Sequence, residues 1–418
     1  MSEPDVSALI SVQQAMRIID SVPVAPRRIR LKLWDADGFR LAQDLVADRD
    51  YPPFDKSQMD GYAVRRDDVA NLPAELRVVG EIPAGKWPDK TVEPGQTMAI
   101  MTGAPMPAGA EGVVPIEEIE RLGPDSIRVL HASGDPARYV APRGAECKAG
   151  QVVLKAGASL GPAQIALAAS IGADELDVFD PPKVAVLATG DELVPLGRQP
   201  GPSQIRNSNT PMLVSLLRRS GCDVTDLGVA VDQPAEIRSA LERGLAFDAL
   251  FVTGGMSMGE YDYVPKILRD LGVDLKITRL RIKPGKPFVF GTRENSSART
   301  FVFGLPGNPV SGFVCTIRFA LRLLARLAGG AVQERWVTGK LDTGLPANGP
   351  REFYQPALRT VAPGRDSSHA EFATITPLKW KGSADLITLA HANVLLVRPE
   401  NDPSLPKGTV IRVIEVGG

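Results

Sequence analysis

The sequence predicts a multidomain α/β plus β protein organised around a parallel-sheet α/β/α domain, and three observations carry that expectation. Residues 183–329 alternate continuously apolar runs with amphipathic stretches, the pattern of buried parallel strands joined by helices. The segments before and after break into short β-type pieces, punctuated along the whole chain by 36 prolines and 40 glycines. The chain also has 418 residues, more than one ordinary core of roughly 100–200 residues organises.

From the N-terminus, residues 7–19 carry Leu9, Ile10, Val12, Met16 and Ile19 at helical spacing, which predicts an amphipathic opening helix. The basic run Arg27, Arg28, Arg30 and Lys32 reads as a solvated face. Residues 51–146 change texture, with pieces such as Leu76-Arg-Val-Val and Gly112-Val-Val between turns, and predict a small β-rich domain. The apolar run 163–171 reads as a helix. Residues 1–50 with 147–182 are expected to form one discontinuous N-terminal linking domain. Residues 183–329 form the α/β domain and 330–418 a C-terminal β domain containing Val394-Leu-Leu-Val and Val410-Ile-Arg-Val-Ile.

Within the α/β domain Val184-Ala-Val-Leu-Ala, Ala249-Leu-Phe-Val-Thr and Phe301-Val-Phe read as buried strands. Asn209 or Thr210 is expected to cap a helix that Gly221 ends, Asp232 to cap a helix over 235–244, and residues 309–327 to form a long closing helix. Ligands bind beyond the carboxyl ends of such strands. Here the strands run into Thr189-Gly-Asp-Glu-Leu, Thr253-Gly-Gly-Met-Ser-Met-Gly-Glu-Tyr-Asp and Gly304-Leu-Pro-Gly-Asn-Pro-Val-Ser. Gly254, Gly255, Gly304 and Gly307 let the backbone approach phosphate oxygens, and the helix after Asn308 adds its positive end. None of these loops is a Walker A motif or a GxGxxG fingerprint.

Glu192, Asp232 and Asp262 fall at strand ends. Carboxylates beside a phosphate repel it unless a divalent cation intervenes, and magnesium suits few carboxylates plus phosphate oxygens and water; a helix cap or turn is the structural alternative for each. Arg281-Ile-Lys-Pro-Gly-Lys-Pro brackets a rigid Pro-Gly turn with Lys283 and Lys286, a place for a tetrahedral oxyanion. Outside the domain stand Phe54-Asp-Lys-Ser-Gln-Met-Asp-Gly-Tyr-Ala-Val, with Asp60 on a Gly turn, and Met101-Thr-Gly-Ala-Pro-Met-Pro-Ala-Gly-Ala, with Thr102.

Composition narrows the classes. Lys plus Arg total 48 against 49 Asp plus Glu, so no global field favours nucleic acid or an anionic membrane. No stretch reaches the roughly 18 apolar residues of a membrane span, and no leader pattern opens the chain, so a cytoplasmic enzyme is expected. Cys147, Cys222 and Cys315 lie far apart without a CxxC pair, which speaks against a zinc site and fits a reducing compartment. Cys222 and Cys315 read as packed thiols, and His131, His369 and His391 as structural or exposed.

Taken together and in order, the segments 54–64, 101–110, 189–193, 253–262, 283–287 and 304–311 resemble the molybdopterin molybdenumtransferases, the family that includes the gephyrin E domain. The resemblance covers nearly the whole chain. It implies a molybdopterin-binding type of α/β domain and a barrel-like C-terminal domain. It also implies an enzyme that inserts molybdenum from molybdate into adenylylated molybdopterin and releases AMP with the help of Mg2+. Carried across by motif, Asp60, Thr102, Glu192, Asp232 and Asp262 take catalytic roles, the last three as cation ligands. Gly254, Gly255, Ser257, Gly307, Asn308 and Ser311 bind substrate phosphate, and Lys283, Lys286 and Ser383 bind the oxyanion. The family implies a homodimer with a site shared between subunits, and the molybdopterin adenylyltransferase as a candidate partner. Three departures stand out: Ala145 and Glu146 where the family has Glu-Asp, Lys56 where Asn is common, and Gln355 where Arg is usual. Loss of that guanidinium removes a charge-assisted hydrogen bond of about 1.5–3 kcal/mol, for which Arg351 is a candidate replacement. The alternative readings are a scaffold or degenerate paralogue that binds molybdopterin without turnover, and an adenylyltransferase, which lacks the flanking β domains.

Overall fold

A computed structural model describes residues 9–132, 134–256, 263–295, 299–331, 334–361 and 373–416. The chain divides into two compact units, one of Met1–Arg30, Gly38–Ala42 and Asp177–Gly418, the other of Leu31–Asp37 and Gln43–Leu176.

The larger unit opens on helix α1, Val12–Ser21. It starts later than its apolar spacing suggests because Ser11 closes a capping box: its hydroxyl accepts from the Gln14 N–H and the Gln14 side chain accepts from the Ser11 N–H. Two otherwise orphaned amides are thereby satisfied and the helix begins there. Val12, Ala15 and Ile19 form its buried stripe.

The smaller unit is built on a six-stranded sheet. Its strands are β1 Gly61–Val64, β2 Ala74–Ile82, β3 Gln96–Ile100, β4 Gly112–Pro115, β5 Ile119–Gly123 and β6 Ser126–Val129, in the order β4-β1-β3-β2-β6-β5. Successive residues alternate between two faces. Tyr62, Val64 and Val114 enter one apolar cluster with Leu76 and Ile127, while Ala63 and Val113 enter another with Met98 and Ile100. Helix α2, Pro162–Ser170, has Pro162 at its start, where a missing N–H costs nothing.

In the larger unit β7 Lys183–Thr189, helix α3 Asn209–Arg219, β8 Asp223–Ala230, helix α4 Pro234–Gly244, β9 Ala249–Thr253 and helix α5 Tyr263–Asp270 follow one another. Strands β10 Asp274–Ile277, β11 Ile282–Lys283, β12 Val289–Glu294 and β13 Arg299–Leu305 come next. The sheet order is β8-β7-β9-β13-β12-β10. The first four strands are parallel, but β12 runs antiparallel to both β13 and β10, so the expected parallel sheet is finished by an antiparallel edge. Alternation divides its side chains: Val184, Val186, Phe251 and Phe303 pack with α1, α3 and the closing helix, while Ala185, Leu187, Leu250 and Val252 pack with α4 and α5. Phe303 lies 4.9 Å from Phe251 and 5.3 Å from Phe290, ring centre to ring centre; full burial of each such ring stabilises the fold by about 1.5–3 kcal/mol.

Neither cap position is held by an expected residue. Ser208 caps α3 by position only, and the Thr210 N–H is bonded instead by the Asn207 side chain. Gln233, not Asp232, takes the cap position of α4. The closing helix is α6 Pro309–Cys315 and α7 Leu321–Leu327 joined by a π-helical turn, Thr316–Ala320.

After it come β14 Trp336–Leu341, β15 Glu352–Thr360, β16 Thr374–Pro377, helix α8 Leu386–His391, β17 Val394–Arg398 and β18 Val410–Glu415. The order β15-β16-β14-β18-β17 closes on itself through β17–β15, making a five-stranded barrel to which β11 adds as an outer strand on β15. Val394 and Leu396 fill the barrel, whereas Leu395 between them joins Tyr354 in the core shared with α6 and α7. No helix of the described residues is long and apolar enough to cross a membrane.

Candidate active site

The three loops that leave β7, β9 and β13 meet at the carboxyl edge of the sheet. Gly254 has φ +91°, and a Cβ there would lie 2.4 Å from the Thr189 carbonyl oxygen, so only glycine fits between the first two loops. Its N–H donates to the Leu305 carbonyl at 3.3 Å. Against Gly307 a Cβ would meet only the Gly254 Cα, at 3.9 Å, which leaves open space beside the backbone. Gly304 is different. Met256 Sδ would lie 2.2 Å from a Cβ at that position, so its missing side chain is taken up by packing inside the sheet rather than by a ligand. Asn209, expected only as a helix cap, reaches the site instead: its Nδ2 donates to the Gly307 carbonyl at 2.7 Å, while its buried Oδ1 has no partner among the described residues. Asn308 stands at the cap of α6 and Ser311 is buried in its first turn. Ser257 and Asp262 lie outside the described residues.

The acidic side of this edge comes from β7 and β8, paired through Thr189 and Ala230. The Gly190 N–H donates to the Ala230 carbonyl at 3.3 Å, and the Asp232 N–H to Asp191 Oδ1 at 2.9 Å. Asp191, which the motif reading passed over, therefore ties the two loops together. Glu192 is exposed, and its carboxylate oxygens lie 2.5 and 2.7 Å from where a Gly190 Cβ would be. No three acidic, His or Cys side chains form a metal-holding group among the described residues. Glu192 on the β7 loop and Asp232 on the β8 loop, which Asp191 ties together, are donors of the kind suited to a cation that takes few carboxylates and completes its shell with phosphate oxygens and water.

The basic side comes from the turn between β11 and β12. Lys283 and Lys286 are exposed, and neither has a carboxylate partner among the described residues. Gly285 between them has φ +116° and abuts α6: a Cβ there would lie 2.7 Å from Cys315 Sγ. Burial pushes the Cys315 thiol well above its ordinary value and the Cys222 thiol up to about 12, as packed and unreactive cysteines require. His131 and His391 are exposed, and His369 lies outside the described residues.

Ser383 comes to this edge from the loop before α8. Its hydroxyl accepts from Asn308 Nδ2 at 2.8 Å, and its carbonyl accepts from the Val310 N–H at 3.0 Å. Two residues that the sequence assigned to different subsites are thus bonded to one another at the start of α6. Gln355, on β15, is half-buried and donates through Nε2 to the Leu378 carbonyl at 2.8 Å, while Arg351 is exposed.

Asp60 and Thr102 belong to the smaller unit. One Asp60 carboxylate oxygen accepts both the Thr102 N–H and its hydroxyl, each at 2.7 Å. The backbone bond first and the hydroxyl second hold the Asp60 carboxyl below the usual carboxylate range. Lys56 lies 3.8 Å from Glu146, so two of the departures in this region face each other.

Comparison with known proteins adds a further set of observations. The family profile described as "MoeA N-terminal region (domain I and II)" matches residues 10–172, "Probable molybdopterin binding domain" matches 185–326, and "MoeA C-terminal region (domain IV)" matches 338–416. The chain is 34% identical over 391 residues to the molybdopterin molybdenumtransferase of a Nostoc species, covering 92% of this chain and 88% of the relative. It is 33% identical over 423 residues to molybdopterin molybdenumtransferase 2 of Mycobacterium tuberculosis, covering 96% and 98%. Among solved structures it is similar to the molybdopterin biosynthesis MoeA protein of Pyrococcus horikoshii, with a TM-score of 0.82, 28% identity and coverage of 98% of this chain and all of that one.

Proposed function

The chain belongs to the molybdopterin molybdenumtransferases, and from that premise we propose that it inserts molybdenum from molybdate into adenylylated molybdopterin and releases AMP. The observation that carries this reading is the convergence of unlike chemistry on one sheet edge: the close backbone approach that Gly254 permits and the open backbone beside Gly307, the carboxylates of the β7 and β8 loops, Glu192 and Asp232, and the Asn308–Ser383 bond at the start of α6. Backbone amides and a helix start suit a phosphate group. Gly255, Ser257 and Ser311 complete that set in our assignment. Mg2+, held by Glu192, Asp232 and Asp262, would screen carboxylates from phosphate and stabilise charge on the leaving AMP. Lys283 and Lys286, with Ser383, hold the oxyanion.

We assign the working form to a cytoplasmic homodimer, in which a second copy supplies Asp60 and Thr102 to each site; the free thiols Cys147, Cys222 and Cys315 fit a reducing compartment. A depressed Asp60 carboxyl stays ionised throughout the neutral range, as a role in positioning a cationic or hydrogen-bonding group requires. The molybdopterin adenylyltransferase is the partner that would hand over the adenylylated substrate.

Purified protein given adenylylated molybdopterin, molybdate and Mg2+ should release AMP stoichiometrically with molybdenum cofactor. Bound pterin without AMP release under any condition would instead establish the scaffold reading. Asp262→Ala and Asp60→Asn should each be inactive, and mixing the two should restore part of the activity, because one site of each mixed dimer receives both intact residues. No recovery on mixing would overturn the shared site.

A further inference from the structure

The turn that carries Lys283 leans on an aromatic pair that no catalytic assignment uses. Strand β11 is parallel to β15, with Lys283 in register with Phe353. The Lys283 ammonium lies 5.0 Å from the centre of the Phe353 ring, within cation–π reach. The same ring also packs against Trp380, with ring centres 5.9 Å apart and a tilt of 34°. Trp380 belongs to the loop that leads to Ser383, and that loop is fastened to β15 by the Leu378 N–H on the Pro356 carbonyl at 3.0 Å and by Gln355 on the Leu378 carbonyl at 2.8 Å.

The physics of this arrangement differs from that of an ion pair. A carboxylate at the position of Phe353 would fix the ammonium but cancel its charge, leaving nothing for an incoming anion. A ring face attracts the cation through its quadrupole, without compensating negative charge. It therefore restricts a long, flexible side chain while leaving the full positive charge available. Lys283 is exposed and lacks a carboxylate partner among the described residues, which is the condition such a device needs.

We propose that Phe353, backed by Trp380, is a positioning residue that holds the Lys283 ammonium in place, and through it sets the affinity for molybdate. The inference rests on the reading of Lys283 as an oxyanion ligand. Through the Phe353–Trp380 stack, one aromatic ladder couples two groups distant in sequence, Lys283 at one end and the Ser383 loop at the other.

The test measures molybdate binding by calorimetry, and KM for molybdate and kcat in the AMP-release reaction, in the full-length protein. Phe353→Leu keeps apolar volume but removes the ring face. It should raise Kd and KM for molybdate about 2- to 5-fold, the range a partly exposed cation–π contact supplies, with kcat at saturating molybdate unchanged. Phe353→Tyr should restore wild-type values. In a Lys283→Met background Phe353→Leu should have no further effect, an outcome that a merely structural role for the ring would not give. Equal losses with and without Lys283, or no change in KM, would overturn the proposal. Should Lys283→Met itself bind molybdate like wild type, the oxyanion reading fails and the inference with it. Urea midpoints of all variants separate loss of folding from loss of binding.

Discussion

Gly285→Ala is the sharpest probe of the turn between Lys283 and Lys286. Residue 285 has φ +116°, and the added methyl would lie 2.7 Å from Cys315 Sγ, 3.3 Å from Ile282 Cγ2 and 3.9 Å from the Ser311 carbonyl oxygen. Forcing a side chain into that backbone region costs about 1–3 kcal/mol, and overpacking against buried sulfur costs another 1–3 kcal/mol or so. The sum, roughly 2–6 kcal/mol, is a large part of a domain's stability. The two parts separate in a double-mutant cycle. Cys315→Ala alone removes one buried heavy atom and should cost about 0.5–1.5 kcal/mol, as a buried methylene does. In the double variant the alanine methyl occupies the space of the lost sulfur, so the steric part vanishes and only the backbone strain remains, giving a favourable coupling of about 1–3 kcal/mol. Urea unfolding of the four proteins measures this directly, and molybdate affinity should fall in Gly285→Ala and recover partly in the double variant. Additive losses, or a Gly285→Ala protein as stable as wild type, would refute the packing argument.

Three further outcomes follow from the polar core and from Asp60. Arg318, nine-tenths buried on the π-helical turn, bonds the Tyr354 hydroxyl at 2.6 Å, pairs with Glu334 and lies 5.4 Å from the Trp336 ring; Arg318→Met removes charge-assisted bonds from the half-buried Glu334, which keeps Arg322, and should lower stability by about 1.5–3 kcal/mol in thermal or urea unfolding. Burial raises the Glu352 carboxyl above its ordinary 4.5, against the opposing Tyr354 hydrogen bond and the Arg318 charge; its stabilising contribution is complete below 4.5 and lost as pH rises through the folded value, so Glu352→Gln should flatten the fall in urea midpoint measured upward from pH 4.5. For Asp60 the sign reverses. Its carboxyl is depressed below 3.8, so its contribution is present above 3.8 and is lost as pH falls through the folded value. Thr102→Val removes the hydroxyl but keeps the larger backbone bond, and should move the Asp60 titration followed by carboxyl NMR upward without returning it to 3.8; an unmoved titration would remove the hydroxyl from the account.

The best-read parts of the fold were those where composition is one-sided. The apolar runs at 184–188 and 249–253 are central strands, covered on both faces, and their continuous hydrophobicity leaves little else for them to be. The strand Asp223–Ala230 went unread because it is the sheet edge: it contains two aspartates and a glycine, and much of it is exposed. Asp274–Ile277 has four residues, too short for a period to register. The motifs marked the loops of the candidate site, since glycine at 254 is demanded by local backbone geometry. Asn209, Asp191 and the Asn308–Ser383 bond were beyond reach, because each depends on a partner from another loop. Arg318 is in the same position: only the π-helical turn and the barrel strand β15 together make its burial intelligible.

Gln355 shows how such long-range partners change the meaning of a substitution. In the sequence it stands for a missing guanidinium, a loss of charge at the oxyanion end. In the structure its amide is committed to the Leu378 carbonyl, and thereby to the loop that carries Trp380 and Ser383. A neutral amide can anchor that loop without placing a partly desolvated cation beside it, which a half-buried position penalises. On the proposed reading, the positive charge offered to an anion then comes from Lys283 and Lys286, both exposed and without carboxylate partners among the described residues. A site that relies on flexible ammonium groups gains from anything that restricts them. On this argument the aromatic support of Lys283 and the neutral residue at 355 are two sides of one arrangement: charge is withdrawn from the rigid strand β15 and held instead on the turn, against the face of Phe353.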